Sequence, residues 1–130
     1  MTEEHPLVVV ANDQPDSIAP DGSEVRLLTR TERGSQAQFR LRAGRQSKAV
    51  KHLTVDEFWV VVSGTGVMAM TKGNTRIVGA QLHPGTAIAI PVGTTFQFAA
   101  GDDEDLVVVG VTVPPWPTDR VEAIECSPLF

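Results

Sequence analysis

Lys48, His52 and Glu57 stand close together in the stretch from Gly44 to Gly66 and are the side chains best suited to chemistry. Histidine titrates near neutrality, and a carboxylate beside it fixes its tautomer and raises its pKa. A desolvated lysine acts as a base or polarises a carbonyl. Brought together, such groups suit proton transfer next to a carbonyl: isomerisation, cyclisation, dehydration or decarboxylation. The plainer alternatives are a His52–Glu57 hydrogen bond that only joins two strands, and a Lys48 whose stem lies along apolar surface with its ammonium in water. Other signals are weaker. Gly64-Thr-Gly66 lacks the third glycine of a dinucleotide site. Asp102 to Asp105 reads as a solvated acidic turn. The single cysteine, Cys126, permits no internal disulfide and has no base near it in sequence, so it reads as a plain thiol. His83 reads as a turn residue before Pro84, and His5 as part of a mobile terminus.

The elements around these residues are strands. Gln36 to Arg42 alternates cleanly, with Ala37, Phe39 and Leu41 on one face and Gln36, Gln38, Arg40 and Arg42 on the other. The same parity places Lys48, Val50 and His52 together, Glu57 with Trp59 and Val61, and Phe96 with Phe98. Strands are expected over Leu7 to Val10, Val25 to Leu28, Gln36 to Arg42, Ser47 to His52, Phe58 to Val62, Val67 to Met70, Thr75 to Leu82, Thr86 to Ile90, Thr95 to Phe98 and Leu106 to Val113. Glycine and proline turns separate them. Asn12 to Ser23 reads as a loop. Asp119 to Glu125 fits one helical turn, with Asp119 as cap and Glu122 three residues on. Many short strands without helical periodicity indicate an all-β sandwich or barrel.

Composition narrows the setting. The chain has 130 residues, 42% hydrophobic and 21% charged, which suits one soluble domain with a real core. A net charge of −5 argues against a nucleic-acid partner, whose phosphates need a basic surface. No apolar run approaches the roughly 20 residues that cross a bilayer, so no membrane partner is expected. Met-Thr-Glu-Glu-His-Pro at the start is polar and acidic rather than a secretory signal, and the expected compartment is the cytoplasm.

The spacing Gly44, five residues, Val50, one residue, His52, four residues, Glu57, six residues, Gly64 resembles the first motif of the cupins. Val50 stands at the first histidine position. Gly85, five residues, Pro91-x-Gly93, two residues, Phe96 resembles the second motif, in which histidine is usual at the Phe96 position and asparagine at Ala100. The likeness runs from about Val25 to Val113, and the surrounding text is similar to small bacterial cupins described as mannose-6-phosphate-isomerase-like. It implies a small jelly-roll, or double-stranded β-helix, barrel: one cupin domain over 1–130, with an N-terminal strand and loop over 1–24 and a Pro-rich tail over 114–130. It also implies that Lys48, Val50, His52, Glu57 and Phe96 face the barrel interior. With Trp59, Val61 and Phe98 they would line an apolar pocket.

Of the positions that hold metal in the family, only His52 and Glu57 carry donors. A transition metal normally takes three or more protein ligands, so no metal and no other cofactor is expected; any weak metal site would rest on His52 and Glu57. The expected function is a metal-independent isomerase, cyclase or lyase acting on an apolar, carbonyl-bearing metabolite of a bacterial biosynthetic pathway. The alternatives are a metal-dependent dioxygenase or isomerase with a reduced ligand set, and a non-catalytic binding or sensing module. A homodimer is expected, since cupins commonly pair through edge strands and Leu7 to Val10 is apolar at successive positions.

Overall fold

In the computed structural model, which describes residues 5–130, the period-two stretches become strands of two antiparallel sheets packed face to face. The first sheet is built from β1 (Ser17–Ile18), β2 (Glu24–Arg30), β3 (Ser35–Leu41), β5 (Asp56–Ser63), β8 (Ala87–Ile90) and β10 (Leu106–Val113). Its order is β1-β2-β3-β10-β5-β8. The second contains β4 (Val50–His52), β6 (Gly66–Lys72), β7 (Thr75–Leu82), β9 (Thr95–Ala100) and β11 (Ala123–Glu125), in the order β11-β4-β9-β6-β7. Strands distant in sequence are neighbours: β10 lies between β3 and β5, pairing Val108 with both Phe39 and Val61.

Alternation decides what each sheet buries. On β5, Glu57, Trp59 and Val61 point inward and are buried, while Phe58, Val60 and Val62 face out and are exposed. The inward faces meet in a core that includes Val50, Val61, Met68, Leu82, Ile90, Phe96, Phe98 and Val108. Each such side chain contributes about 1.5–3 kcal/mol relative to an exposed one. The motif glycines have a physical reason. Gly64 turns β5 into β6 with a φ of +81°, and a Cβ there would run into the Asp105 carbonyl.

Three expectations need correction. Leu7 to Val10 forms no strand; Leu7, Val8 and Val10 are 86%, 87% and 88% exposed, and the edge strand of the first sheet is instead Ser17–Ile18, inside the expected loop. The helical turn over Asp119 to Glu125 is replaced by β11, whose Ala123 pairs with His52. Glu122 reaches across to the turn between β4 and β5 instead of capping a helix. Its carboxylate accepts from Thr54 N–H at 2.7 Å, Thr54 Oγ–H at 2.6 Å and Val55 N–H at 3.0 Å. Finally, β4 begins only at Val50, because Ser47 to Ala49 is pinned irregularly. Ser47 Oγ accepts from Phe98 N–H at 2.9 Å, and Lys48 N–H donates to the Asp21 carbonyl at 2.8 Å. Met1 to Glu4, the first residues of the expected non-secretory N-terminus, lie outside the described residues. No helix among the described residues is long and apolar enough to cross a membrane.

Candidate functional site

A cavity of about 510 Å³ opens between the sheets, with Val50, His52, Glu57 and Trp59 on its wall. β4 supplies Val50 and His52, and β5 supplies Glu57 and Trp59. β10 passes behind them at Gly110, the Cα partner of Trp59. Phe96 lies beneath this wall in the core: its ring centroid is 5.3 Å from that of His52 and 5.7 Å from that of Trp59, edge-on to both. Val61 and Phe98 likewise belong to the core rather than the cavity wall. Parity assigned them the right face but carries no information on depth along the barrel.

Lys48 is the clear departure. Its side chain is 61% exposed and its Nζ lies 3.6 Å from Glu125 Oε1, outside the cavity. Parity fails there because Lys48 precedes the first regular residue of β4, in the segment that Ser47 anchors.

His52 and Glu57 are brought together, with Nδ1 3.4 Å from Oε2 and both side chains 4% exposed. That separation admits an ion pair, yet His52 Nδ1 makes no hydrogen bond. Burial pushes His52 down to about 4, with the Glu122 carboxylate opposing the shift. Burial also pushes Glu57 up to about 8; the Trp59 indole N–H opposes this, and the Asp21 carboxyl adds to it. Two buried ions without supporting hydrogen bonds do not recover their desolvation cost, so the uncharged pair is the stable one. At neutral pH the site therefore holds a neutral imidazole beside a protonated carboxyl. This reverses the expectation that the carboxylate would raise the histidine's pKa: desolvation outweighs attraction at this depth.

Three participants escaped the sequence reading. Trp116 closes over His52, ring centroids 5.1 Å apart, from within the Pro-rich tail. It is tied down by Arg30 Nη1, which donates to its carbonyl at 2.9 Å, and by its own N–H, which donates to Ser35 Oγ at 2.9 Å. Asp21 is buried at the cavity edge, where its Oδ1 accepts from Ser23 N–H at 2.9 Å and Ser23 Oγ–H at 2.7 Å. Burial dominates and raises its pKa. Glu122 is buried as well; burial would raise it, but the bonds from Thr54 and Val55 hold it below the usual carboxylate range. Only the Asp-Gly turn and the tail's aromatic residue mark these positions in the sequence, and neither points at a cavity.

Among the described residues no three His, Cys, Asp or Glu side chains converge as ligands. Val50 and Phe96 present hydrocarbon where the family's motifs carry imidazole, and His83 is exposed in its turn.

The fold is a cupin-type double-stranded β-helix. The polysaccharide-assembling protein CapF of Staphylococcus aureus superposes with a TM-score of 0.70 at 20% identity, over 89% of this chain and 33% of CapF. KdgF from Halomonas superposes with a TM-score of 0.64 at 18% identity, over 82% and 89% of the two chains. A double-stranded β-helix protein from Klebsiella pneumoniae gives 0.60 at 18% identity, over 75% and 82%. In sequence, the chain is 36% identical over 62 residues to an acireductone dioxygenase from Exiguobacterium sibiricum, covering 48% of this chain and 35% of that enzyme. It is 32% identical over 66 residues to the enzyme of the same name from Bacillus cytotoxicus, covering 51% and 39%. The match thus spans little more than a third of those curated relatives. No protein-family model matches the chain.

Proposed function

We propose that this protein binds a small, largely apolar, carbonyl-bearing molecule and moves a proton beside the carbonyl, as an isomerase, cyclase or lyase working without a metal. The observation that carries this reading is a buried imidazole 3.4 Å from a buried carboxyl on the wall of a largely apolar cavity. In this scheme the unpartnered His52 Nδ1 takes a proton from the carbon next to the carbonyl. Glu57 delivers its own proton to the carbonyl oxygen, leaving an enol. Return of a proton at another carbon completes an isomerisation, and loss of a leaving group completes an elimination. At neutral pH the lowered pKa leaves His52 free to accept a proton and the raised pKa leaves Glu57 with one to give, the protonation states such a step needs.

The test uses 2-acetylnaphthalene in heavy water, with methyl-proton exchange followed by NMR. Wild-type protein should accelerate exchange, and His52→Ala should slow it by about 10²–10⁴-fold while keeping the fold. Equal rates for the two proteins would refute the catalytic role and leave a binding module.

The likeness to acireductone dioxygenases favours a second reading, a dioxygenase with a reduced ligand set. Elemental analysis of protein purified without a metal-affinity tag separates the two. A stoichiometric transition metal would select the dioxygenase.

A further inference from the structure

Two buried polar atoms on the cavity wall, His52 Nδ1 and Trp59 Nε1, make no hydrogen bond of regular geometry; the Glu57 carboxyl lies near enough to the indole N–H to be lowered by it but does not accept from it in line. The proposed chemistry uses the first and leaves the second unexplained. Buried donors are nearly always paired, and an indole N–H can only donate. Trp59 cannot swing out to find water. Its ring stacks on Phe39 at 5.9 Å and meets Phe96 and Phe98 edge-on at 5.7 Å and 5.0 Å. Gly110 behind it completes the seat. A Cβ there would come within 2.8 Å of Phe39 Cε2, 3.0 Å of Trp59 Cδ1 and 3.1 Å of Glu57 Oε1. The bare backbone lets ring, indole and carboxyl share one spot.

The charges around the cavity limit what can accept from this N–H. Arg30 and His5 also line the cavity, and Arg30 Nη1 donates to the Trp116 carbonyl. Lys48 lies outside, and the carboxyl groups of Asp21 and Glu57 lie on the wall. The side chains packed on Trp59 are Phe39, Phe96 and Phe98, none of them a cation, so a ligand carboxylate or phosphate seated at the indole would lose its hydration without an ion partner against it, which is costly. An uncharged oxygen carries no such penalty.

We propose that the Trp59 indole N–H is the donor that fixes the ligand's oxygen, and that the ligand class is an uncharged ketone on a flat apolar body rather than an organic acid or phosphate ester. This deepens the reading above and rests on it for the carbonyl.

The test compares three probes of one shape: 2-acetylnaphthalene, 2-ethylnaphthalene and 2-naphthoate. The chain has two tryptophans, so the indole region of a nitrogen–proton correlation spectrum carries two signals, assigned with Trp116→Phe. The ketone should move the Trp59 signal downfield at pH 7, whereas the ethyl compound should bind without that shift. The ketone should bind about tenfold more tightly than the hydrocarbon, the scale of one net hydrogen bond. The naphthoate should bind more weakly than either, and Trp59→Phe should erase the ketone's advantage. These wild-type measurements stand whether or not the Trp59 variant folds. Several results would overturn the proposal: a ketone that binds without moving Trp59, a naphthoate that binds most tightly, or no binding by any probe. An indole signal that Glu57→Gln moves and the ketone does not would also overturn it, since the N–H would then belong to Glu57. The two readings fail separately. A Trp59 shift retained in a His52→Ala protein that exchanges protons at the wild-type rate would sink proton transfer and leave the ketone donor standing.

Discussion

At the residue scale, the His52–Glu57 pair ties stability to pH with opposite signs. Glu57 is raised from its usual 4.5 to about 8, so between these values the native state holds a proton the unfolded chain has lost. Stability from Glu57 therefore falls as pH rises through that window. His52 is lowered from 6.5 to about 4, so between those values the unfolded chain holds the extra proton and stability rises with pH. The slopes oppose each other from about 4.5 to 6.5, and from there to about 8 the Glu57 loss stands alone. The urea midpoint of the wild type should thus drop between pH 6.5 and 8, and Glu57→Gln, which has no proton to lose, should flatten that limb. An unchanged limb in the variant would show that Glu57 ionises normally.

At the scale of the elements, the Trp116 segment keeps His52 dry. Trp116→Ala should admit water over the ring and bring the histidine from about 4 back towards 6.5. An NMR titration of the ring protons measures this directly, and a midpoint that stays put would assign the desolvation to Phe96 and the sheet instead. This segment also marks where sequence reasoning stops. The strands were legible because Gln36 to Arg42 alternates, because Phe58 to Val62 is a short apolar run bounded by turns, and because Gly64 sits where only a left-handed turn closes β5 onto β6. His52 facing Glu57 followed from motif spacing. Trp116 over His52 and Glu122 beneath Thr54 are meetings across more than 60 residues of chain, and Asp21 acts on Glu57 across 36, which no local period records. Lys48 was misplaced for a related reason. Buried Gln97 donates to the Ser47 carbonyl at 2.8 Å, and such tertiary bonds override strand parity just before β4. Charge state was least accessible, because desolvation depends on everything packed around a group.

At the scale of the whole molecule, the outer face of the first sheet is unfinished. Phe58, Val60 and Val62 project from β5 beside Ala87 and Ala89 of β8, all exposed, and the ribbon of Leu7, Val8 and Val10 is exposed too. Apolar patches of this kind mark association surfaces. We expect a homodimer that covers the β5 face. Light scattering at micromolar concentration should give twice the chain mass, and Val60→Lys should return the monomer. A wild-type monomer would refute it.

The cavity also carries a history of assembly. Its wall draws on Ser17 to Asp21 near one end of the chain and on Trp116 and Ala123 near the other. The site has no existence in a partly folded chain, however many strands have formed. The hairpin of β6 and β7 closes over neighbouring residues and pairs Val67 with Gln81. Seating β11 joins Leu53 N–H to the Glu122 carbonyl and Cys126 N–H to the Ala49 carbonyl, across some seventy residues. Contacts so distant in sequence form slowly. In pulsed hydrogen exchange during refolding, the amides of Leu53 and Cys126 should gain protection after those of the β6–β7 hairpin. Simultaneous protection would show that the barrel closes in one step. With a lag, newly made chains would pass through an interval in which the barrel is present and the binding site is not.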